Sequence, residues 1–282
     1  MKFVLIALLT ALTSSFAFAQ EQFDVNRYHS VAQINNYLEK VAEEHIQIES
    51  RVLGQSEEGI DIKYLIVSDG QIKNPIFLNG THHGDEKSST NAILAIIQYI
   101  KTNIEEESIA NVLRQHSIVL LPLVNPDGYS ANTRENANGY DINRDYSYLD
   151  HNPQNTGEAR LIMDLSHEFQ FVAAMSYHSG MEGVLWPYGY TGERPQDHLL
   201  FKNIGESIAQ AMGFTTAVQS YYDYKTIGEY IDFSYIEFGT ISLTVEVSED
   251  KAPSESELRS VNAKVIKGLN TFLSNILSRD PR

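Results

Sequence analysis

Residues 76–86 read Ile76-Phe77-Leu78-Asn79-Gly80-Thr81-His82-His83-Gly84-Asp85-Glu86, and Thr90–Lys101 follows with Ala92, Ile96 and Tyr99 on one side. Ile76–Leu78 is a short apolar run without alternation, which is how a strand buried on both faces looks. The segment after it keeps the three- and four-residue spacing of a helix. A strand, a polar turn and a helix in this order form the first half of a parallel crossover.

The same alternation extends in both directions. Ser30 with Gln33 makes a capping box, and Val31, Ile34, Leu38 and Val41 line one helical face. Strand-like runs recur at Ile62–Val67, Ile118–Val124, Phe171–Ser176 and Ile241–Val247. Helical stretches lie at Glu158–Glu168 and Leu199–Met212. A last helix opens at Pro253-Ser254 and carries Leu258, Val261, Val265, Leu269, Phe272 and Ile276 at helical steps. The expected fold is α/β: a single domain whose mixed, mostly parallel twisted sheet is covered by helices on both faces. Such sheets bind ligands at the carboxyl ends of their strands, so the polar clusters that follow strands are the candidates for chemistry.

Bulk properties narrow the setting. Lys2, the apolar run Phe3 to Leu12 and Ala17-Phe18-Ala19 have the layout of a secretory leader, with cleavage expected after Ala19. That divides the chain into a signal peptide, 1–19, and one remaining domain, 20–282. A membrane anchor is the alternative, but the run is too short to span a bilayer and no later one is long enough. No linker or repeat divides the rest. Cysteine is absent, which suits an exported bacterial protein, periplasmic or secreted, that is stable without disulfides. A formal charge of −16 argues against nucleic acid or an anionic membrane as partner.

Four clusters carry chemistry. His83 and Glu86, three apart at a strand-to-helix turn, can both reach one ion, although a polar turn capping the next helix explains them as well. After the strand at Ile118–Val124 come Asn125-Pro126-Asp127-Gly128-Tyr129, Arg134-Glu135-Asn136 and Asp141-Ile142-Asn143-Arg144. Two arginines and two amides there suit a negative group, since guanidinium pairs bidentately with carboxylate; a solvated loop is the bland reading. His178 directly follows Phe171–Ser176, and a lone histidine there is more often structural. Glu246 interrupts an apolar β-run, where an acid must be paired, neutralised or functional.

Together these clusters resemble the zinc metallocarboxypeptidases of the carboxypeptidase A/B type. Gly80 to Glu86 is similar to the family's first zinc motif, and Asn125 to Tyr129 to its Asn-Pro-Asp-Gly-Tyr loop. Arg134 to Arg144 resembles the regulatory branch. His178-Ser179, Pro187-Tyr188-Gly189-Tyr190, Tyr224, Asp232-Phe233-Ser234-Tyr235 and Glu246 resemble the pancreatic branch. The resemblance reaches from Tyr28-His29 and Gly54 to Gly59 across nearly the whole mature chain.

Carried over residue by residue, it implies one Zn2+ held by His83, Glu86 and His178, with water in the fourth position. His82 competes on residue type, but the family motif selects His83. Asp141 is then the acid that orients His83. Glu246 is the general base, and Arg134 stabilises the oxyanion. Asn143 and Arg144 clamp the terminal carboxylate of a peptide, and Tyr224 closes over it. Ile231 stands where members that prefer basic residues place an aspartate, which favours an apolar or mixed terminal residue. Glu229 could instead attract an ammonium group. A monomer is expected, with no pro-domain and no added C-terminal domain, and so active as made.

Departures leave the substrate open. Asp85 replaces an arginine or asparagine, Gly180 a tyrosine, and Asp145 the usual asparagine after Asn143-Arg144. Bacterial members that trim cell-wall peptides carry similar variants, so a muropeptide is the alternative to an ordinary peptide. Rivals of another class are a non-catalytic peptide-binding relative and a small-molecule deacylase.

Overall fold

A computed structural model of the chain describes residues 23–278. The leader read at residues 1–19, with its cleavage point, lies outside the described residues. Among the described residues, the strands are β1 (Ile48–Gln55), β2 (Asp61–Val67), β3 (Ile76–Gly80), β4 (Ile118–Leu121), β5 (Ala173–His178), β6 (Met181–Trp186), β7 (Thr216–Gln219) and β8 (Ile241–Ser248). They form one sheet in the order β1-β2-β4-β3-β5-β8-β6-β7. The centre, β4-β3-β5-β8, is parallel throughout, as is β6 with β7. The pairs β1-β2, β2-β4 and β8-β6 are antiparallel. The sheet is mixed and mostly parallel, as its apolar runs indicate.

The helices are α1 (Val31–Glu44), α2 (Lys87–Thr102), α3 (Glu107–Gln115), α4 (Pro126–Ala131), α5 (Gly157–Phe169), α6 (His198–Met212), α7 (Ser220–Asp223), α8 (Tyr230–Phe238) and α9 (Glu255–Leu277). Side chains alternate across a strand, so each central strand feeds two cores. Ile76, Leu78, Met175, Leu243 and Val245 join α1, α2, α6 and α9 in one core. Phe77, Val119 and Ala174 join α5 and α8 in the other. The capping box at the start of α1 forms, with Ser30 and Gln33 exchanging hydrogen bonds. None of the helices among the described residues is long and apolar enough to cross a membrane.

This alternation decides where the polar residues go. Asn79 lies two residues beyond Phe77, and Ser176 and His178 lie two and four beyond Ala174, so all three project on the α5/α8 side. Glu246 alternates with Val245 and Val247, which belong to the other core, and projects on that same side. The register pairs Asn79 with Ser176 and His178 with Glu246. Residues far apart in sequence thus become neighbours at the shared carboxyl edge of three parallel strands.

Candidate metal centre

The turn after β3 is held in an unusual shape. Thr81 has φ 65, the left-handed region that a β-branched residue avoids, at a cost of about 1–3 kcal/mol. Its Oγ1 is fixed among Ser89, Thr90 and the carbonyl of Pro122. At Gly84 a Cβ would stand 2.0 Å from the carbonyl carbon of Gly128 and 2.2 Å from Tyr129 N, so only glycine fits. Asn125 caps α4 through Gly128 N at 2.9 Å, and its amide donates to the carbonyls of His82 and Arg134. Asp127 accepts from Ser56 Oγ at 2.7 Å and Glu58 N at 3.1 Å. Asn125 to Tyr129 is buried. The segment that reads as an ordinary solvated turn is a buttress against which the His83–Glu86 turn is pressed.

His83, Glu86 and His178 come together, all buried. His83 Nδ1 lies 2.8 Å from Glu86 Oε1, and His178 Nδ1 lies 3.0 Å from Glu86 Oε2. One ligating atom from each residue lies within 4.8 Å of the others, so the three could hold a metal ion. Two imidazole nitrogens and one carboxylate oxygen form a donor set that zinc takes readily, with a fourth position left for substrate or water. Ser179 N donates to Glu86 Oε2 at 3.1 Å, and Glu86 sits at the start of α2, where the helix dipole favours an anion. Glu246 Oε2 is sealed from solvent and has no hydrogen-bond partner. The residues therefore fit the group: three converging donors, and beside them one acid with an oxygen unspent.

The charges here push pKa values apart. Burial alone would depress His83, but the Glu86 and Asp141 carboxylates outweigh it and lift the imidazole to about 9. Burial would raise Glu86, yet His83 and His178 hold it well below the usual carboxylate range. Glu246 goes the other way, pushed well above that range by burial and then by repulsion from Glu86. Two carboxyls shifted in opposite directions in one cleft suit two different tasks.

His82 is not among the three. It is fully buried, 2.8 Å from Tyr146 Oη through Nε2, and its ring stacks on that of His178 at 5.3 Å. Burial, and then the neighbouring histidines, hold it well below its usual pKa, so it is neutral. Asp141 lies against His83. Its Oδ1 lies 3.1 Å from His83 Nε2 and accepts from Asn143 N at 3.0 Å, while Oδ2 accepts from Arg134 at 2.8 and 3.0 Å. Arg134 also lies 3.6 Å from Glu86 Oε1.

Asn143 and Arg144 sit in a 3₁₀ turn, Ile142–Arg144, that Asp141 caps. Asn143 Oδ1 accepts from Tyr230 N at 3.0 Å, which leaves its amide nitrogen for a ligand. Arg144 lies over the ring of Tyr224 at 6.0 Å and 3.6 Å from Glu229 Oε1. Tyr224 is exposed, whereas Glu229 and Ile231 are buried. Ile231 belongs to the α5/α8 core with Tyr230 and Phe233. Burial raises Glu229, partly countered by Arg144.

Several contributors have no motif to announce them. Ser176 Oγ lies 3.3 Å from His178 Nε2 and donates to Asn79 Oδ1 at 2.9 Å. The available signal is a polar residue at the end of each of two apolar runs. Lys251 pairs with Asp85 Oδ2 at 2.6 Å, so the altered residue beside Glu86 has its own counter-charge. Asp145 accepts from the backbone and side chains of Asn155 and Thr156 at 2.7–3.1 Å, which anchors the loop entering α5. Asp232 accepts from Gly189 N, Tyr190 N and Tyr148 Oη, and burial with the nearby Glu229 charge raises it to about 7.

Comparison with known proteins agrees with this geometry. The sequence profile of the peptidase M14 zinc carboxypeptidase family matches residues 34–267. Carboxypeptidase SOL1 of Arabidopsis thaliana is 27% identical over 259 residues, covering 80% of this chain and 52% of its own length. Zinc carboxypeptidase A 1 of Anopheles gambiae is 26% identical over 255 residues, covering 77% of this chain and 59% of its own length. The chain thus spans between half and three fifths of these relatives. A solved structure of bovine thrombin-activatable fibrinolysis inhibitor, in complex with a tick carboxypeptidase inhibitor, is alike in fold with TM-score 0.81. Its identity is 20%, and the match covers 89% of this chain and 98% of that one.

Proposed function

The chain belongs to the zinc carboxypeptidase family, and from that premise we propose that it removes residues from the carboxyl end of peptides. One observation carries the proposal. The Asp141 carboxylate that meets His83 Nε2 also caps the turn presenting Asn143 and Arg144. The metal donors and a group able to grip a carboxylate are therefore tethered through one side chain at a fixed separation. Only a chain end offers a carboxylate at a set distance from a scissile bond.

His83, Glu86 and His178 would hold the zinc. When bound, zinc supplies Lewis acidity, polarising a carbonyl and bringing the acidity of water toward neutral pH. Glu246 is the base: its unpartnered Oε2 takes a proton from the attacking water and passes it to the leaving amine. Arg134, oriented by Asp141, offers guanidinium hydrogens to the developing oxyanion. Arg144 and the Asn143 amide bind the terminal carboxylate, and Tyr224 covers it.

For the departing side chain, Ile231 among Tyr230 and Phe233 favours an apolar or mixed residue. Buried Glu229 beside Arg144 favours a second reading, in which an ammonium group enters, as on lysine or the diaminopimelate of a muropeptide. Asp145 lends that reading no support, since its hydrogen bonds are spent on Asn155 and Thr156. Export through the leader at residues 1–19 belongs to the same proposal. Mature protein should be incubated with free and C-terminally amidated peptides and with purified muropeptides, with products read by mass spectrometry and zinc assayed in parallel. Release of single residues from free peptides only is expected. Cleavage of amidated peptides at equal rate would overturn the clamp, and zinc binding without hydrolysis would leave a binding protein.

A further inference from the structure

The hydrogens around His178 can be counted. Its Nδ1 faces the metal position beside Glu86; as a ligand that nitrogen carries no hydrogen, so in the neutral ring the hydrogen would sit on Nε2. The acceptor there is Ser176 Oγ at 3.3 Å. The serine's own hydrogen goes to Asn79 Oδ1 at 2.9 Å, between residues that are register partners on β3 and β5. His82 completes the set: Tyr146 Oη donates to its Nε2 at 2.8 Å, and its Nδ1 hydrogen points to Ser176 Oγ at 3.4 Å. The serine oxygen thus accepts from two imidazoles and donates once. Asn79 Nδ2 has no partner. Turning that amide over would make it a donor to Ser176 and send the serine's hydrogen to His82. In both arrangements His178 donates to Ser176.

From this count we infer that Ser176, backed by Asn79 and His82, is a positioning residue for the metal centre, holding His178 in the tautomer and ring orientation in which Nδ1 faces the ion. The inference rests on reading His178 as a ligand. The partners of metal-bound histidines fix the ring in this way, and losing one typically weakens metal binding 10–100-fold. The two histidines are then held differently. His83 donates to the carboxylate of Asp141, which strengthens its ring as a donor, whereas His178 donates to a neutral hydroxyl. His82, beside the first ligand in sequence, belongs to the support of the last one. The stack on His178 and the hydrogen bond with Tyr146 explain why a histidine occupies a fully buried place without binding metal.

The test uses the purified full chain, stripped of metal and titrated with zinc against a chelating indicator. Ser176→Ala removes one oxygen, adds no volume and should fold. We expect zinc to bind 10–100-fold more weakly, with a shifted visible spectrum in the cobalt-substituted protein. Ser242→Ala is the control, because Ser242 is an equally buried hydroxyl on β8 with no hydrogen-bond partner. It should leave zinc affinity within twofold. Unchanged affinity in Ser176→Ala, or an equal loss in Ser242→Ala, overturns the positioning role while leaving the ligand set intact. A wild-type chain that binds no zinc overturns the ligand assignment, and the role of Ser176 with it.

Discussion

Replacing Glu246 by glutamine separates metal binding from proton transfer. The side chain keeps its shape, and since Glu246 Oε2 has no hydrogen-bond partner, no bond at that oxygen is broken. The three converging donors do not include Glu246, so zinc content should stay at one per chain. Asn143, Arg144 and Tyr224 are untouched, so KM should move by no more than about threefold. What disappears is a carboxyl whose proton affinity is raised by burial and by Glu86, placed level with His178 by the register of β5 and β8. Losing a positioned acid–base group typically costs 10²–10⁴ in kcat, or about 2.7–5.4 kcal/mol in the barrier. The assay is steady-state hydrolysis of an N-blocked dipeptide with a free carboxylate, with zinc by atomic absorption and Tm by calorimetry. Turnover within tenfold of wild type, in a variant shown to carry zinc, would refute the assignment of the base.

Three further substitutions test the rest of the site. Gly84→Ala drives a Cβ to 2.0 Å from Gly128 backbone, and the overpacking should cost about 3 kcal/mol, lowering Tm by roughly 6–12 °C. A variant that melts like wild type would show that the Asn125–Tyr129 buttress is dispensable. Arg144→Ala removes charge-assisted hydrogen bonds of about 1.5–3 kcal/mol, so kcat/KM on free peptides should fall roughly 10–150-fold and the preference over amidated peptides should vanish. Persistence of that preference would place the clamp elsewhere. Asp232 is raised to about 7 in the fold, above its unfolded value of about 3.9. The folded chain therefore holds a proton that the unfolded chain gives up between those values. The resulting stability is present in full below pH 4 and is lost as pH rises to 7. The span is up to about 4 kcal/mol, which Asp232→Asn should remove from the pH dependence of urea unfolding. An unchanged pH slope in the variant would rule this out.

How much of this was legible can be judged element by element. α1 was readable because Ser30 and Gln33 mark its start and its apolar face repeats cleanly. The central strands were readable because burial on both faces leaves them almost wholly apolar. β1 was not, because Ile48–Gln55 runs along the sheet edge with most of its side chains at least partly exposed, and its apolar residues keep no period. β6 and β7 are short and lie toward the other edge. α8 escaped because Tyr230 to Tyr235 are buried all round, which erases the amphipathic signal. β5 runs two residues beyond its apolar stretch, and that extension makes His178 the last residue of a strand rather than the first of a loop.

The site divides along the same line. Spacings of three residues, such as His83 to Glu86 or Asp141 to Arg144, are local and survive into the fold nearly unchanged. Pairings set by sheet register, such as His178 with Glu246 and Asn79 with Ser176, join residues that the sequence separates widely. The departures from the family pattern need the fold most. Asp85 is paired with Lys251, and the four hydrogen bonds of Asp145 run to the residues that start α5. Both are answered within the chain and say nothing about what is cut. Glu229 is different, because its counter-charge is Arg144 at 3.6 Å, the group proposed to bind the substrate's carboxylate. A terminal carboxylate arriving at Arg144 weakens the hold of that cation on Glu229, and a buried acid losing its partner must take up either a proton or another cation. An apolar terminal residue leaves it the proton; a lysine or diaminopimelate side chain supplies the cation. On the proposed reading of Arg144 as the clamp, side-chain preference would turn on how that arginine is shared between Glu229 and the substrate.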